Sequence, residues 1–131
     1  MKKRGIGIAA TCYPTGVATG GDFSQALVRV RHDGSVDLII GTVDVGQGSK
    51  TVLAQMAAEE LGIPYESVNV MNSDTDASPP SYGTFASRAT YFDGNAVVMA
   101  AREAERWINV RANQPHFFLR QSNPSACSTT L

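Results

Sequence analysis

The sequence has 131 residues, of which 43% are hydrophobic, and this is the length and composition of one globular domain. Its formal net charge of −1 offers no positive field for nucleic acid, and no apolar run reaches the length of a membrane span. Cys12 and Cys127 lie far apart, so neither a disulfide framework nor a metal site is predicted. We therefore expect a cytoplasmic chain that binds neither nucleic acid nor membrane.

The first half of the chain predicts strands. Residues 5–12 (GIGIAATC) are small and apolar, and we expect a strand there, with Cys12 packed inside, that ends at the turn of residues 13–16 (YPTG). Residues 25–31 alternate between apolar and basic side chains, which suits a half-buried strand. Asp33 and Gly34 predict a two-residue turn with positive φ at both positions, and residues 36–43 then return as the second strand of a hairpin.

After Gly48 the apolar residues recur at helical spacing, and Gly62 should end that helix. Residues 68–71 predict one more short strand, residues 72–84 a polar loop, and residues 89–107 a second helix. The predicted fold is α+β: a β-hairpin and further strands packed against two helices, in two layers.

The stretch GTVDVGQGSKT, residues 41–51, joins a strand to the first helix. It matches neither the Walker pattern nor the dinucleotide pattern of glycines, because Ser49 and Thr51 stand where those patterns need glycine. Gly46, Gln47 and Gly48 nevertheless precede a helix start, whose unpaired N–H groups attract anions. The alternative is a simple strand-to-helix turn with Ser49 as the N-cap.

The stretch GTFASRAT, residues 83–90, joins a loop to the second helix and combines hydroxyls, small residues and Arg88. Arginine can hold a phosphate through two parallel hydrogen bonds, and Ser or Thr can add neutral ones. Taken singly, Ser87 would be a cap and Arg88 a solvated side chain. Two such helix starts in one small domain suggest a ligand with more than one phosphate.

Several motifs in order resemble one family. They are GIGIAA, YPTG, VDVGQGSKTVLAQMAAEELGIP, DTD and GTFASRATYFDGNAV. Over roughly residues 3–105 the chain resembles the molybdenum-cofactor-binding large subunit of the molybdenum hydroxylases, the family of xanthine dehydrogenase, aldehyde oxidoreductase and carbon monoxide dehydrogenase. This resemblance implies a partial molybdenum-cofactor-binding domain over residues 1–106.

The resemblance also implies a cofactor and a set of contacts. The cofactor is molybdopterin with molybdenum, and prokaryotic members commonly use its cytosine dinucleotide form. The matching positions predicted to touch it are Gly46, Gln47, Gly48, Ala86, Ser87, Arg88 and Thr90. Family partners are the remaining large-subunit domains and the iron–sulfur and FAD subunits, and the reaction is water-dependent hydroxylation of a purine, an aldehyde, an aromatic heterocycle or CO.

No catalytic residue is predicted, and no protein ligand to a metal. In the family the catalytic base is a glutamate in a Gly-x-Gly-Glu segment, and this chain contains no such segment. Four of its five glutamates lie on the predicted helices, where solvent exposure explains them better than catalysis. We therefore expect the chain to be inactive alone.

Residues 107–131 lie outside the resemblance and form a tail that a helix should not enter beyond residues 113–115 (NQP). Two hypotheses explain this tail. It comes from a frameshift or premature truncation of a longer gene, or it is a terminal arm in which Phe117, Phe118 and Leu119 dock on a partner or on the face left bare by the missing domains. Two functional alternatives also stay open, a stand-alone nucleotide- or pterin-binding module and a ligand-free remnant that forms homo-oligomers.

Overall fold

One mixed sheet and two helices make up the regular structure of the parts of the chain described by the computed structural model, residues 2–16 and 20–112. The elements are β1 Ala26–Val30, β2 Val36–Ile40, α1 Ser49–Leu61, β3 Val68–Met71 and α2 Gly94–Ala112. The strands lie in the order β1-β2-β3, with β2 antiparallel to β1 and parallel to β3. The predicted α+β class, with strands packed against two helices, is confirmed.

The core lies between the central strand and both helices. Side chains alternate across a strand, so Val36, Leu38 and Ile40 of β2 share one face, and all three are buried. Leu38 and Ile40 pack in one cluster with Leu53 and Ala57 of α1 and Val97 of α2. Both helices therefore cover the same face of the sheet.

The opposite face of the sheet buries a carboxylate. Asp37 of β2 is fully buried, and its carboxylate accepts hydrogen bonds from Arg29 at 2.7 and 3.0 Å, from Arg31 at 3.0 Å and from the Asn69 amide at 3.1 Å. The hydrogen bonds from Arg31, Asn69 and Arg29 hold the pKa of Asp37 far below its ordinary value. The alternating basic residues of β1 thus stabilise a charge on the strand beside them.

The predicted hairpin is present, but its turn is longer than predicted. Val30 pairs with Val36, and the Arg31 N–H donates to the Ser35 carbonyl at 2.8 Å, which leaves three residues in the loop. Gly34 has φ +84, whereas Asp33 is not left-handed and instead accepts hydrogen bonds from Ser35. The two-residue turn was therefore wrong, because the Asp33 side chain stabilises a wider turn that needs only one left-handed residue.

The boundaries of α1 agree with the prediction. Gly48 precedes the helix with φ +81, and Gly62 follows it with φ +64. The Gly62 N–H donates to the carbonyls of Ala58 and Glu59, which closes the last turn. The second helix is confirmed too, although residues 89–93 form a π-helical turn before α2 begins at Gly94.

The first predicted strand is not present. Residues 5–12 lie outside any strand and are exposed throughout, including Cys12, and Ile6 and Ile8 are 98% and 96% exposed. An apolar segment forms a strand only where a neighbour supplies backbone partners, and none of the described strands pairs with it. The expectation of a packed Cys12 was therefore wrong as well.

α2 continues through residues 107–112, the start of the predicted tail, while residues 113–131, with Phe117, Phe118 and Leu119, lie outside the described residues. The domain boundary at residue 106 stays a prediction. Within the described ranges, no helix combines the length and apolar character needed to cross a membrane.

Candidate functional site

The turn that leads into α1 is organised by Asp44. Its carboxylate accepts hydrogen bonds from the N–H groups of Gly46 at 2.8 Å, Gly48 at 3.2 Å and Lys50 at 3.2 Å. These bonds, that from Gly46 above all, hold the pKa of Asp44 below its ordinary value. The chain's own carboxylate therefore occupies the place where we expected an external anion.

The two glycines of this turn serve backbone conformation. Gly46 has φ +108 and Gly48 has φ +81, and a Cβ atom at either position would meet open space. Gly48 stands at the N-cap and Ser49 is the first helical residue, so the alternative with Ser49 as N-cap was wrong. The space beside Gly46 and Gly48 is therefore open to a ligand.

Gln47 folds back onto its own turn. Its Oε1 accepts a hydrogen bond from the Val45 N–H at 2.7 Å, and its Nε2 donates to the Ser49 hydroxyl at 3.1 Å and to the Val43 carbonyl at 3.3 Å. Because Gln47 is exposed, these bonds orient a side chain that still borders solvent.

Thr84 joins this turn to the second predicted segment. Its hydroxyl donates to the Val43 carbonyl at 2.7 Å and accepts from the Val43 N–H at 3.3 Å. Both backbone polar groups of one residue, Val43, are thus bonded to the side chain of a residue 41 positions later.

The loop after Thr84 contains strained backbone. Ala86 has φ +49 and Ser87 has φ +52, so two consecutive residues with a Cβ atom are left-handed. Each such residue costs about 1–2 kcal/mol, and conformations of this kind persist only where the surroundings enforce them. The Arg88 N–H donates to the Phe85 carbonyl at 3.1 Å, and the Gly16 N–H donates to the Ala86 carbonyl at 2.9 Å.

Arg88 is buried and bound to the protein. Its guanidinium donates to Asp22 at 2.8 and 3.0 Å, to the Gly83 carbonyl at 2.9 Å and to the Phe23 carbonyl at 2.6 Å. Asp93, also buried, lies 3.6 Å away and accepts a hydrogen bond from Ser24. The Arg88 guanidinium, which was predicted to hold a phosphate, instead forms hydrogen bonds with these groups of the protein.

An open cavity of about 430 Å³ lies between the two segments. It is lined by Val45, Gln47, Thr84, Phe85, Ala86, Ser87, Arg88, Ala89 and Thr90. Five of the seven predicted contact residues therefore border one cavity, and Gly46 and Gly48 flank Gln47 in the same turn. Their contact with a cofactor stays a prediction, because geometry brings the residues together without showing a ligand.

Three residues that organise this site were missed from the sequence. Asp44 and Thr84 lie inside the quoted segments. Asp44 comes just before the two glycines in the sequence, and an Asp side chain in such a position commonly accepts a hydrogen bond from the backbone two residues later. Asp22 lies 66 residues from Arg88, and nothing in the local pattern pairs them.

The comparison with known families decides which family this fold and cavity belong to. The family described as the molybdopterin cofactor-binding domain matches residues 1–118. The chain belongs to this family. The resemblance to the large subunits of molybdenum hydroxylases is confirmed. Residues 2–16 and 20–112 contain no group of three or more His, Cys, Asp or Glu side chains that could hold a metal ion.

Curated relatives support the same assignment. The xanthine dehydrogenase molybdenum-binding subunit of Escherichia coli O157:H7 is 36% identical over 101 residues, which cover 76% of this chain and 13% of the relative. The carbon monoxide dehydrogenase large chain of Hydrogenophaga pseudoflava is 39% identical over 99 residues, which cover 76% of this chain and 12% of the relative. The chain thus spans about an eighth of the length of these relatives.

A solved structure shares the fold. Reconstituted CO dehydrogenase from Oligotropha carboxidovorans superposes with a TM-score of 0.67 and 37% sequence identity, over 70% of this chain and 11% of that one. The chain therefore corresponds to part of the molybdopterin-binding domain of a molybdenum hydroxylase large subunit.

Proposed function

We propose that this chain forms one wall of the molybdopterin site of a molybdenum hydroxylase large subunit. The observation that carries the proposal is the joining of residues 41–49 to residues 83–90 by the hydrogen bonds between Thr84 and Val43, with one cavity between them. Its volume of about 430 Å³ lies within the range of small-molecule sites. Family membership supplies the class of ligand.

The lining suits a pyranopterin better than it suits a strongly charged ligand. Gln47 and Thr84 line the cavity with neutral side chains, whose N–H and O–H donors bond within the protein and whose oxygens can still accept, and Phe85, 43% exposed, offers an aromatic face. The π-helical turn at Ala89 begins beside the cavity, and the first N–H groups of a helical segment have no acceptor within that segment. These amides are the place we assign to a phosphate of the cofactor.

The finer parts of the proposal rest on the family. We propose the cytosine dinucleotide form, with Gly46, Gln47, Gly48, Ala86, Ser87, Arg88 and Thr90 as the contact residues. When bound, the cofactor supplies molybdenum for the oxidation of a substrate hydroxylated by water. The chain's own residues bind and orient it, and the base lies in the missing Gly-x-Gly-Glu segment, so the chain alone is inactive.

Partners and location complete the proposal. Ile6, Ile8 and Met99 are 98%, 96% and 70% exposed, which fits a chain that other parts of a large subunit cover. Iron–sulfur and FAD subunits would then take the electrons, in the cytoplasm.

The experiment measures pterin and nucleotide in the purified chain. The chain is prepared anaerobically from bacteria that make molybdopterin cytosine dinucleotide, and oxidative release gives a fluorescent pterin and CMP. We expect both in the wild type and little of either in Thr84→Val, which unlinks the two segments. Thr51→Val, on the exposed surface of α1, is the matched control and should retain both.

The outcomes separate the alternatives. Pterin without CMP would reject the dinucleotide form and retain the site. Absence of pterin, together with a stable oligomer by light scattering, would favour the ligand-free remnant. Pterin bound in a chain whose locus encodes no further family segments would favour the stand-alone binding module.

A further inference from the structure

A buried charge cluster borders the cavity through Arg88, which is one of the residues that line it. It consists of Arg88, Asp22, Asp93 and Ser24, and we call it the Arg88 cluster. Arg88 and Asp93 are 0% and 1% exposed. Buried charges are costly unless they are paired, and here the guanidinium lies within ion-pair distance of two carboxylates.

The Arg88 cluster ends at the strained backbone. Arg88 follows Ala86 and Ser87, and its guanidinium is tied to Gly83 on the other side of them through a hydrogen bond of 2.9 Å. The two left-handed residues are therefore held between Gly83 and Arg88. The guanidinium is in turn fixed by the carboxylate of Asp22 at 2.8 Å.

We propose that the Arg88 cluster is a positioning device that holds Ala86 and Ser87 left-handed, so that the main-chain amides of the residues on either side of Arg88 in the segment 86–90, and not its guanidinium, contact the phosphate of the ligand. The inference rests on the proposed function for the identity of the ligand. On this proposal Arg88 does not bind the phosphate itself but holds the backbone of Ala86 and Ser87 in the conformation that binds it.

The shape of the guanidinium supports this role. Arginine has five N–H groups, and contacts within hydrogen-bond or ion-pair distance of Asp22, Phe23, Gly83 and Asp93 surround them. A phosphate could reach the guanidinium only by displacing Asp22 or Asp93 from a buried site. An amide contact needs no such displacement.

The test uses substitutions that affect strain and charge separately, in the full chain. Asp22→Asn weakens the cluster, and Ala86→Gly with Ser87→Gly removes the cost of the left-handed backbone. Two properties are measured by NMR: the sign of φ at residues 86 and 87 from scalar couplings, and the dissociation constant of inorganic pyrophosphate from amide shifts. Asp37→Asn is the matched control, because Asp37 is also a buried carboxylate bound to arginines but lies on the far face of the sheet.

We expect Asp22→Asn to lose the positive φ at Ala86 and Ser87 and to weaken pyrophosphate binding by about tenfold, the equivalent of about one left-handed residue. Adding the two glycines should restore binding. They should not correct the loss of stability caused by Asp37→Asn. If the Arg88 cluster only stabilised the fold, the two glycines would not restore pyrophosphate binding in Asp22→Asn while leaving Asp37→Asn uncorrected.

Two results would overturn the proposal. If the guanidinium is itself the ligand, Asp22→Asn frees it and binding becomes stronger. If φ at Ala86 and Ser87 stays positive in Asp22→Asn, the cluster does not position the loop. Should the single variant fail to fold with or without the glycines, Ser24→Ala, which removes only the hydroxyl bound to Asp93, gives the same two measurements.

The φ measurement does not depend on a ligand. If the wild type fails to bind pyrophosphate, the phosphate site of the proposed function is wrong for the isolated chain, and φ in the variants still decides whether the Arg88 cluster positions the loop.

Discussion

Gly41 shows how closely the chain is packed beside the site. A Cβ atom at this position would overlap the carbonyl oxygen of Pro79 and lie 2.8 Å from the Cβ of Ser81. Both neighbours belong to the loop that ends at Thr84, so β2 and this loop approach each other directly. The requirement for glycine here is steric, whereas at Gly46 and Gly48 it comes from positive φ.

We predict that Gly41→Ala destabilises the fold. The new methyl group meets backbone, which can move only together with the loop, so we expect a loss of about 1–3 kcal/mol in the free energy of unfolding. Urea denaturation followed by circular dichroism measures it. Gly7→Ala is the control, because a Cβ there meets nothing within 4 Å. Equal stability of the two variants would contradict the close approach.

One face of the sheet packs against the helices in the core, and the other face contains the ion pairs of Asp37 with Arg29 and Arg31. Asp37 has a depressed pKa, so the unfolded chain binds more protons than the folded chain as the pH falls. Its contribution to stability is complete above the unfolded pKa, near 3.8, and is lost as the pH falls below that value. Asp44 contributes in the same direction.

We predict that stability is constant near neutral pH and declines in acid below about pH 4–5. Asp37→Asn should lower the urea midpoint at pH 7, because an uncharged amide forms no ion pair with Arg29 or Arg31, and make the acid decline smaller, because the amide does not titrate. The measurement is a series of urea titrations between pH 7 and pH 2. Glu105→Gln, on the exposed surface of α2, should follow the wild type. A variant with an unchanged acid decline would show that Asp37 does not contribute.

Leu53 tests the packing of α1 on the sheet. It is fully buried in the cluster with Leu38, Ile40, Ala57 and Val97, so Leu53→Ala leaves a cavity that the surrounding residues can fill only in part. We expect a loss of about 2–5 kcal/mol in urea unfolding. Leu27→Ala, with a side chain 53% exposed, should cost much less. Similar losses would mean that the helices do not share this core.

The sequence predicted those elements whose signal is local. Helical spacing after Gly48, the stop at Gly62 and the alternation of β1 were sufficient for α1 and the hairpin. The missing strand at residues 5–12 and the anchoring of Arg88 by Asp22 depend on partners distant in sequence, which no local pattern reveals. Asp44 was overlooked since a glycine-rich turn before a helix resembles an anion site whether or not the chain supplies its own carboxylate.

The described residues combine a closely packed core with large apolar side chains that are exposed to solvent. Leu38, Leu53 and Val97 are fully buried, whereas Ile6, Ile8 and other large apolar side chains stand in solvent. The relatives are about eight times longer than the matched segment. A folded core that carries one side of an open cavity is what we expect of one wall of a larger cofactor site.

On the function we propose, residues 45–47 and 84–90 form a single binding surface. The most direct measurement is amide NMR of the full chain during titration with molybdopterin cytosine dinucleotide under anaerobic conditions. We predict that the amides of both segments shift together with one dissociation constant and that Thr84→Val uncouples them. A second groove lies beside Gly41 and Val43 and is lined by residues 73–75 and 78–81. Shifts confined to that groove, or different dissociation constants for the two segments, would contradict a single binding surface.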